Sequence, residues 1–149
     1  MSICVTTGYK YIGRENWDEN FARDEEFYYD GFRKLVAECP YDIVAFLEER
    51  DREVLKDVVS PRLTVFPMEG LDILPYTHME KDWEVMNSYE YSVLMKNSKQ
   101  QHHHPERSER GYNMVTSFKS NLVLETSHWF PGYNFYAWQD FGAANHKGG

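Results

Sequence analysis

The residues of this sequence best suited to catalysis are two histidines that stand near acidic or hydroxyl side chains. A histidine oriented by a carboxylate is the minimum requirement for general acid–base chemistry. His78 stands two residues before Glu80, and His128 directly follows Ser127. Because adjacent residues of a strand point to opposite faces, Ser127 and His128 cannot form a nucleophile–base pair by themselves. His78, Glu80 and His128 are therefore candidate catalytic residues only if other elements supply their partners.

A run of three histidines, His102 to His104, could bind a divalent transition metal through neutral imidazoles. Consecutive residues of an extended loop point in different directions, so two of them at most, such as His102 and His104, can converge on one ion. A solvated loop explains the run more simply. The sequence also lacks a glycine-rich phosphate loop and the spacing of a Cys-x-x-Cys or His-Glu-x-x-His site. We therefore expect no metal and no other cofactor.

The segment from Trp129 to Trp138 is unusually rich in aromatic residues. Trp and Tyr are enriched in interface hot spots, because they bury a large area at a small cost in rotamer entropy. Strand alternation puts Tyr136 and Trp138 on one face, which we expect to meet solvent or a partner. The predicted partner-binding residues are therefore Trp129, Tyr136 and Trp138, together with Arg107 and Arg110 of a nearby basic loop. The alternative is that these rings build the core.

Composition narrows the classes of function. The 149 residues include 24 acidic and 16 basic side chains, giving a formal net charge of −8. A net negative charge disfavours binding of nucleic acid over a large part of the surface, because the phosphate backbone is also negative. Two cysteines are too few for a disulfide framework, no secretory hydrophobic segment follows Met1, and no apolar run approaches the roughly 20 residues of a membrane-spanning helix. We expect a protein partner, no membrane, and a cytoplasmic or other reducing intracellular location. The oligomeric state stays open.

The N-terminal half of the sequence predicts one strand and two helices. Residues 2–12 are rich in β-branched and aromatic types and predict a strand interrupted at Gly8. An apolar stripe predicts a helix over 17–39, with Asn16 near its start, and a second stripe predicts another helix over 41–59. Pro40 separates the two helices, which then form a hairpin.

The C-terminal half predicts strands. Short apolar pieces between prolines and glycines, at 63–66 and 71–74, are typical of short strands. Apolar residues of one parity predict two antiparallel strands over 84–96 and 112–129, and an aromatic strand follows at 133–139.

Together these elements predict an α+β fold, in which a two-helix hairpin packs on a largely antiparallel sheet. The expected organisation is a single globular domain over 1–141 with an exposed loop at about 97–111, followed by a flexible tail over 142–149. We expect a small acidic non-enzymatic interaction, inhibitory or accessory factor that binds a partner protein through aromatic and acidic surface. The alternative is a small-ligand-binding domain or a hydrolase-type enzyme, with a pocket lined by Tyr and Trp that uses His78 or His128 with a carboxylate.

Overall fold

The computed structural model describes residues 1–17, 19–69, 71, 79–96 and 110–145. Its strands are β1 (Ile3–Tyr9), β2 (Asp42–Leu47), β3 (Leu63–Pro67) and β4 (Phe135–Trp138). Its α-helices are α1 (Glu25–Glu38), α2 (Glu49–Val54), α3 (Met79–Met86), α4 (Tyr89–Lys96) and α5 (Arg110–Trp129).

The chain divides into two compact units. The sheet unit consists of Met1–Tyr11, Arg23–Leu71 and Lys119–Gly149, and the helical unit consists of Ile12–Ala22 and Asp72–Phe118. All four strands and helices α1 and α2 belong to the sheet unit, whereas α3 and α4 belong to the helical unit. Helix α5 begins in the helical unit and ends in the sheet unit.

The four strands form one sheet in the order β3-β2-β1-β4, and every neighbouring pair is parallel. The predicted mixture of helices and strands (α+β) is confirmed, but the predicted antiparallel sheet is wrong. Parallel strands need long crossover connections, and here helices occupy them. The predicted strands 84–96 and 112–129 are in fact the helices α3, α4 and α5.

The predicted helix over 41–59 is wrong in its first part, which forms strand β2. The helical part of that span is the short helix α2. Five of the six residues of β2 are buried. A strand covered on both faces is apolar at nearly every position, so its sequence lacks the alternation that would distinguish it from a buried helix. The predicted two-helix hairpin is therefore wrong, because β2 follows α1.

Helix α1 starts later than the apolar stripe predicted. The Oδ1 atom of Asp24 accepts a hydrogen bond of 2.8 Å from the backbone N–H of Phe27, which caps the helix. Asn16 lies instead in a separate 3₁₀ turn, Arg14–Asn16. The helix ends at Glu38, just before Pro40, as the sequence predicted.

Helices α1 and α5 cover opposite faces of the sheet. On β1, Thr6 donates a hydrogen bond of 2.8 Å from its hydroxyl to the hydroxyl of Thr126 on α5. Tyr9, three residues along the strand, contacts Tyr29 of α1 with 5.9 Å between ring centroids. Because strand side chains alternate in direction, these two contacts lie on the two faces of the sheet.

The misassigned strand at 112–129 has a simple physical cause. Met114, Phe118, Leu122 and Thr126 are all buried, and they recur every four residues. A spacing of four is one turn of a helix and also an even number, so it matches both periodicities. Leu124 distinguishes the two structures. In a strand it would lie on the same buried face as Leu122 and Thr126, but it is 53% exposed, as the helix requires.

The core on the α1 face of the sheet is aromatic. The Phe141 ring stacks between Tyr9 and Phe32, with centroid distances of 5.2 and 4.5 Å. The chain after β4 also passes very close to α1, since a Cβ atom added to Gly31 would lie 2.8 Å from the Cα atom of Gly142. Glycine at position 31 of the sequence is therefore required by packing.

The last described residues pack against α1. Ala143–Asn145 form a short 3₁₀ turn, and the Asn145 side-chain amide donates a hydrogen bond of 2.9 Å to the carbonyl of Phe27. The sequence predicted a flexible tail from residue 142, and residues 146–149 of that tail lie outside the described residues. Most of the predicted loop at 97–111 also lies outside them.

Among the described helices, none combines the length and the apolar character needed to cross a membrane.

Candidate functional site

The strand order creates one position where the direction of winding reverses. From β1 the chain proceeds to β2 and β3 on one side, whereas β4 is added on the other side of β1. In open parallel sheets, ligands bind outside the carboxyl ends of the strands at such a switch point. The carboxyl ends of β1 and β4 therefore define the candidate site.

Three side chains meet where β4 ends. The Trp138 indole N–H donates a hydrogen bond of 2.7 Å to Oδ1 of Asp140, and the Lys119 ammonium approaches the same oxygen at 2.7 Å. The Lys119 Nζ atom also lies 5.8 Å from the centre of a Trp138 ring, within cation–π range. The Asp140 side chain is 57% exposed, so its carboxylate is oriented by protein donors while it remains accessible to solvent.

One side of the switch point is filled. Phe141 turns onto the α1 face and occupies the space beside Tyr9. The backbone N–H of Gln139 continues the ladder to the carbonyl of Thr6 at 2.9 Å, and on the opposite face Asp140 pairs with Lys119 of α5. A ligand at this edge would therefore lie on the α5 side.

Ion pairs link the carboxyl ends of the other strands. Lys10 follows β1 and Glu48 follows β2, and their Nζ and Oε1 atoms are 2.6 Å apart. Arg52 of α2 donates at 2.7 Å to Glu69, which lies just after β3. The edge thus presents alternating charges from one side of the sheet to the other.

A buried carboxylate lies next to this edge. Asp51 is fully buried, and Oδ1 accepts a hydrogen bond of 2.7 Å from the Tyr29 hydroxyl, whereas Oδ2 has no hydrogen-bond partner among the described residues. Burial raises the pKa of Asp51, and the Tyr29 hydrogen bond and the Arg50 charge only partly oppose this effect. Burial likewise raises the pKa of Tyr29. Asp51 is therefore more easily protonated than an ordinary carboxyl group.

The guanidinium of Arg50 connects this carboxylate to an aromatic face. Arg50 pairs with Glu25 of α1, and its central carbon lies 4.4 Å from the centre of the Tyr11 ring. A cation in that position gains electrostatic attraction from the ring. The Arg50 group thus holds the segment after β1 against the segment after β2.

Of the predicted catalytic and metal-binding residues, the described part of the chain contains Glu80 and His128. His78, His102, His104 and Arg107 lie outside the described residues. Glu80 lies in α3, and Arg110 is the first residue of α5. His128 lies exposed in the last turn of α5, which leads to the amino end of β4 and not to the carboxyl edge. Within residues 1–17, 19–69, 71, 79–96 and 110–145, no three His, Cys, Asp or Glu side chains converge on a metal position.

The predicted partner-binding aromatics lie in different environments. Trp129 is 60% exposed and donates its indole N–H to Glu125 at 3.1 Å. Tyr136 and Trp138 alternate with Phe135 as predicted, but the prediction that their face is the exposed one is wrong. They are half-buried on the α5 side, whereas Phe135 is 56% exposed. The Tyr136 hydroxyl donates to the Phe130 carbonyl at 2.7 Å.

The sequence interpretation missed the residues of the carboxyl edge. Lys10, Glu48 and Asp140 each follow an apolar strand within two residues, and this position is a recognisable signal in a parallel sheet. The signal has meaning only when the strands are known to be parallel, and that was the property predicted wrongly.

Comparison with protein-family models, with curated proteins and with solved structures finds no match to this chain.

Proposed function

We propose that the chain is a small-molecule-binding domain whose ligand lies outside the carboxyl ends of β1 and β4. The observation that carries this proposal is the strand order β3-β2-β1-β4 of an all-parallel sheet, with a charged and aromatic cluster at its switch point. This is the ligand-binding alternative of the sequence interpretation. His128 has no part in it, because it lies exposed in the last turn of α5, nine residues after Lys119 along that helix.

The side chains at this edge favour a ligand with hydroxyl groups and one flat face. The carboxylates of Asp140 and Glu48 accept hydrogen bonds from hydroxyl groups, and Lys119 and Lys10 can donate to a hydroxyl or ether oxygen. The Trp138 ring is half-buried and has Lys119 over it at 5.8 Å, so it adds an aromatic surface that a flat ligand can contact. Both carboxylates already have a cationic partner, so a neutral hydroxylated molecule matches the site better than a strongly charged one.

The proposal is tested by titrating the protein with neutral nucleosides and monosaccharides and following heat of binding and backbone amide NMR shifts. We expect saturable binding to at least one compound, with shifts concentrated at Gln139 and Asp140. Asp140→Asn should weaken that binding about tenfold, because it replaces a charged acceptor by a neutral one. Glu125→Gln is the matched control, because the Glu125 carboxylate accepts from Trp129 and makes no contact with Asp140, Lys119 or Trp138 among the described hydrogen bonds and ion pairs; this variant should bind as the wild type does. Saturable binding that is insensitive to Asp140→Asn would contradict this site.

The first expectation from the sequence, a protein-interaction factor, stays as a second candidate because Trp129 and Phe135 are among the exposed large aromatic side chains. Trp129 is 60% exposed, although one part of its ring contacts Phe66 of β3 with 5.7 Å between centroids, and Phe135, the first residue of β4, is 56% exposed. An exposed Trp with a polar neighbour is typical of an interface anchor. In this case Trp129→Ala should abolish capture of one specific protein while the exposed neighbour His128→Ala retains it. Equal capture by both variants would exclude Trp129 from an interface.

A further inference from the structure

A cavity of about 370 Å³ lies on the α1 face of the sheet unit, beside β2 and β3. Residues of α1, β2, α2, β3 and the segment between α2 and β3 line it: Phe32, Leu47, Arg52, Leu55, Lys56, Val58, Val59, Ser60, Leu63 and Val65. This volume falls within the range of small-ligand sites, roughly 300–1,000 Å³. The cavity is separate from the carboxyl ends of β1 and β4, so the inference from it does not depend on the proposed function.

The walls of the cavity are apolar and partly open to solvent. Seven of its ten lining residues are Phe, Leu or Val. Val59 is 81% exposed and Val65 is 40% exposed, whereas Leu55 is buried deeper, at 4%. Apolar side chains that remain exposed around an apolar recess lower their free energy when an apolar group covers them. The occupant must therefore carry a hydrocarbon portion.

The polar lining has one sign of charge. Arg52, Lys56 and Ser60 are its polar residues, and no acidic side chain of the described residues lines the cavity. Arg52 is held by Glu69 at 2.7 Å. Lys56 pairs with Glu53 at 2.6 Å, but both side chains are about 70% exposed, at 72% and 73%. An ion pair so exposed contributes little to stability, so Lys56 can exchange Glu53 for an anionic ligand at small cost.

We propose that this cavity binds a medium-chain aliphatic carboxylate. The hydrocarbon chain lies among Leu47, Leu55 and Val58, and the carboxylate pairs with Lys56 and accepts a hydrogen bond from the Ser60 hydroxyl. A methylene group takes about the space of one liquid water, roughly 30 Å³, so 370 Å³ holds about twelve such groups, which fits a chain of about ten carbons together with its carboxylate oxygens.

The test is a titration of the intact chain with decanoate below its micelle concentration, followed by calorimetry and by NMR of the valine and leucine methyl groups. We expect saturable binding, with methyl shifts at Val58, Leu55 and Leu63. Decanol has the same chain without the charge and should bind more weakly. Lys56→Glu should weaken decanoate binding about tenfold by replacing an attraction with a repulsion, and should leave decanol unchanged. Lys34→Glu, an exposed lysine on α1 away from the cavity, is the matched control for net charge.

A second variant tests the location. Val59→Trp changes a side chain that is 81% exposed, so the fold should be retained while the bulky ring closes the mouth and abolishes binding of both ligands. The proposal is overturned if decanoate fails to bind saturably, or if Lys56→Glu and Lys34→Glu weaken binding equally. It is also overturned if the methyl shifts appear only with self-association in light scattering, since the cavity would then be a contact between copies of the chain.

Discussion

Replacing Gly31 by alanine tests the closest packing contact of the fold. Gly31 lies within α1, where alanine normally stabilises a helix relative to glycine by about 0.5–1 kcal/mol. The structure predicts the opposite sign. The added Cβ atom would lie 2.8 Å from the Cα atom and 3.0 Å from the carbonyl carbon of Gly142, whereas carbon atoms in contact prefer about 3.5–4.0 Å.

The expected size follows from two opposing terms. Forcing an extra carbon into packed structure costs about 1–3 kcal/mol, and the gain in helix propensity offsets part of that cost. We expect Gly31→Ala to lower the free energy of unfolding by about 1–2 kcal/mol, which in a chain of this length lowers Tm by about 3–6 °C. Urea denaturation followed by circular dichroism gives the free energy, and a thermal scan gives Tm.

Two controls separate packing from helix propensity. Ala37→Gly, at an exposed position of the same helix, measures the propensity term alone and should cost about 0.5–1 kcal/mol. In a chain shortened after Phe141, Gly142 is absent, and Gly31→Ala should then be neutral or stabilising. A full-length Gly31→Ala protein that is more stable than the wild type would refute the close approach of the chain after β4 to α1.

Three further predictions concern buried groups. Thr126→Val should cost about 1–3 kcal/mol by leaving the Thr6 hydroxyl buried without its 2.8 Å partner, and Thr6→Val in the same chain should recover part of that cost in urea denaturation. The pKa of Asp51 is raised in the folded state, so the folded protein binds this proton more tightly than the unfolded chain does. This difference stabilises the fold fully below about pH 3.9, and the stabilisation is lost as the pH rises through the raised pKa. The free energy of unfolding of the wild type relative to Asp51→Asn should therefore increase as the pH falls from 7 to 4, and a constant difference would contradict the burial of a charged group. Cys4 is fully buried and its pKa is raised to about 11, so a thiol reagent at pH 8 should label only the partly exposed Cys39 in the folded protein, and both cysteines in guanidinium.

The sequence predicted those elements whose signals are local. The strands β1, β3 and β4 were found near their true positions, because β-branched and aromatic residues stand between Gly and Pro breaks. The end of α1 was found because Pro40 cannot continue a helix. Asp24 was missed as the start of α1, since Asn16 offered an equally good capping pattern eight residues earlier.

Errors arose wherever one pattern fits two structures. The β2 sequence Asp-Ile-Val-Ala-Phe-Leu is apolar almost throughout, and a run of this kind is compatible with a buried helix until its neighbours are known. The four-residue spacing of buried residues from Met114 to Thr126 is compatible with one face of a helix and also with one face of a strand. In both places the tertiary structure decides, because it determines whether one face or two faces of the element are covered.

The candidate site depends on a pairing that no local pattern reveals. Strand β4 pairs with β1, although the two strands come from opposite ends of the sequence, and Ile3 is the partner of Phe135. Had β4 paired antiparallel with β3, as consecutive strands of a meander would, Asp140 would lie at the opposite end of the sheet from Lys10 and Glu48. The parallel pairing with β1 brings these three charged residues to one edge, although each is unremarkable in the sequence. The binding site proposed here is therefore a property of the topology first and of the residue types second, and it could be predicted only after the direction of β4 was known.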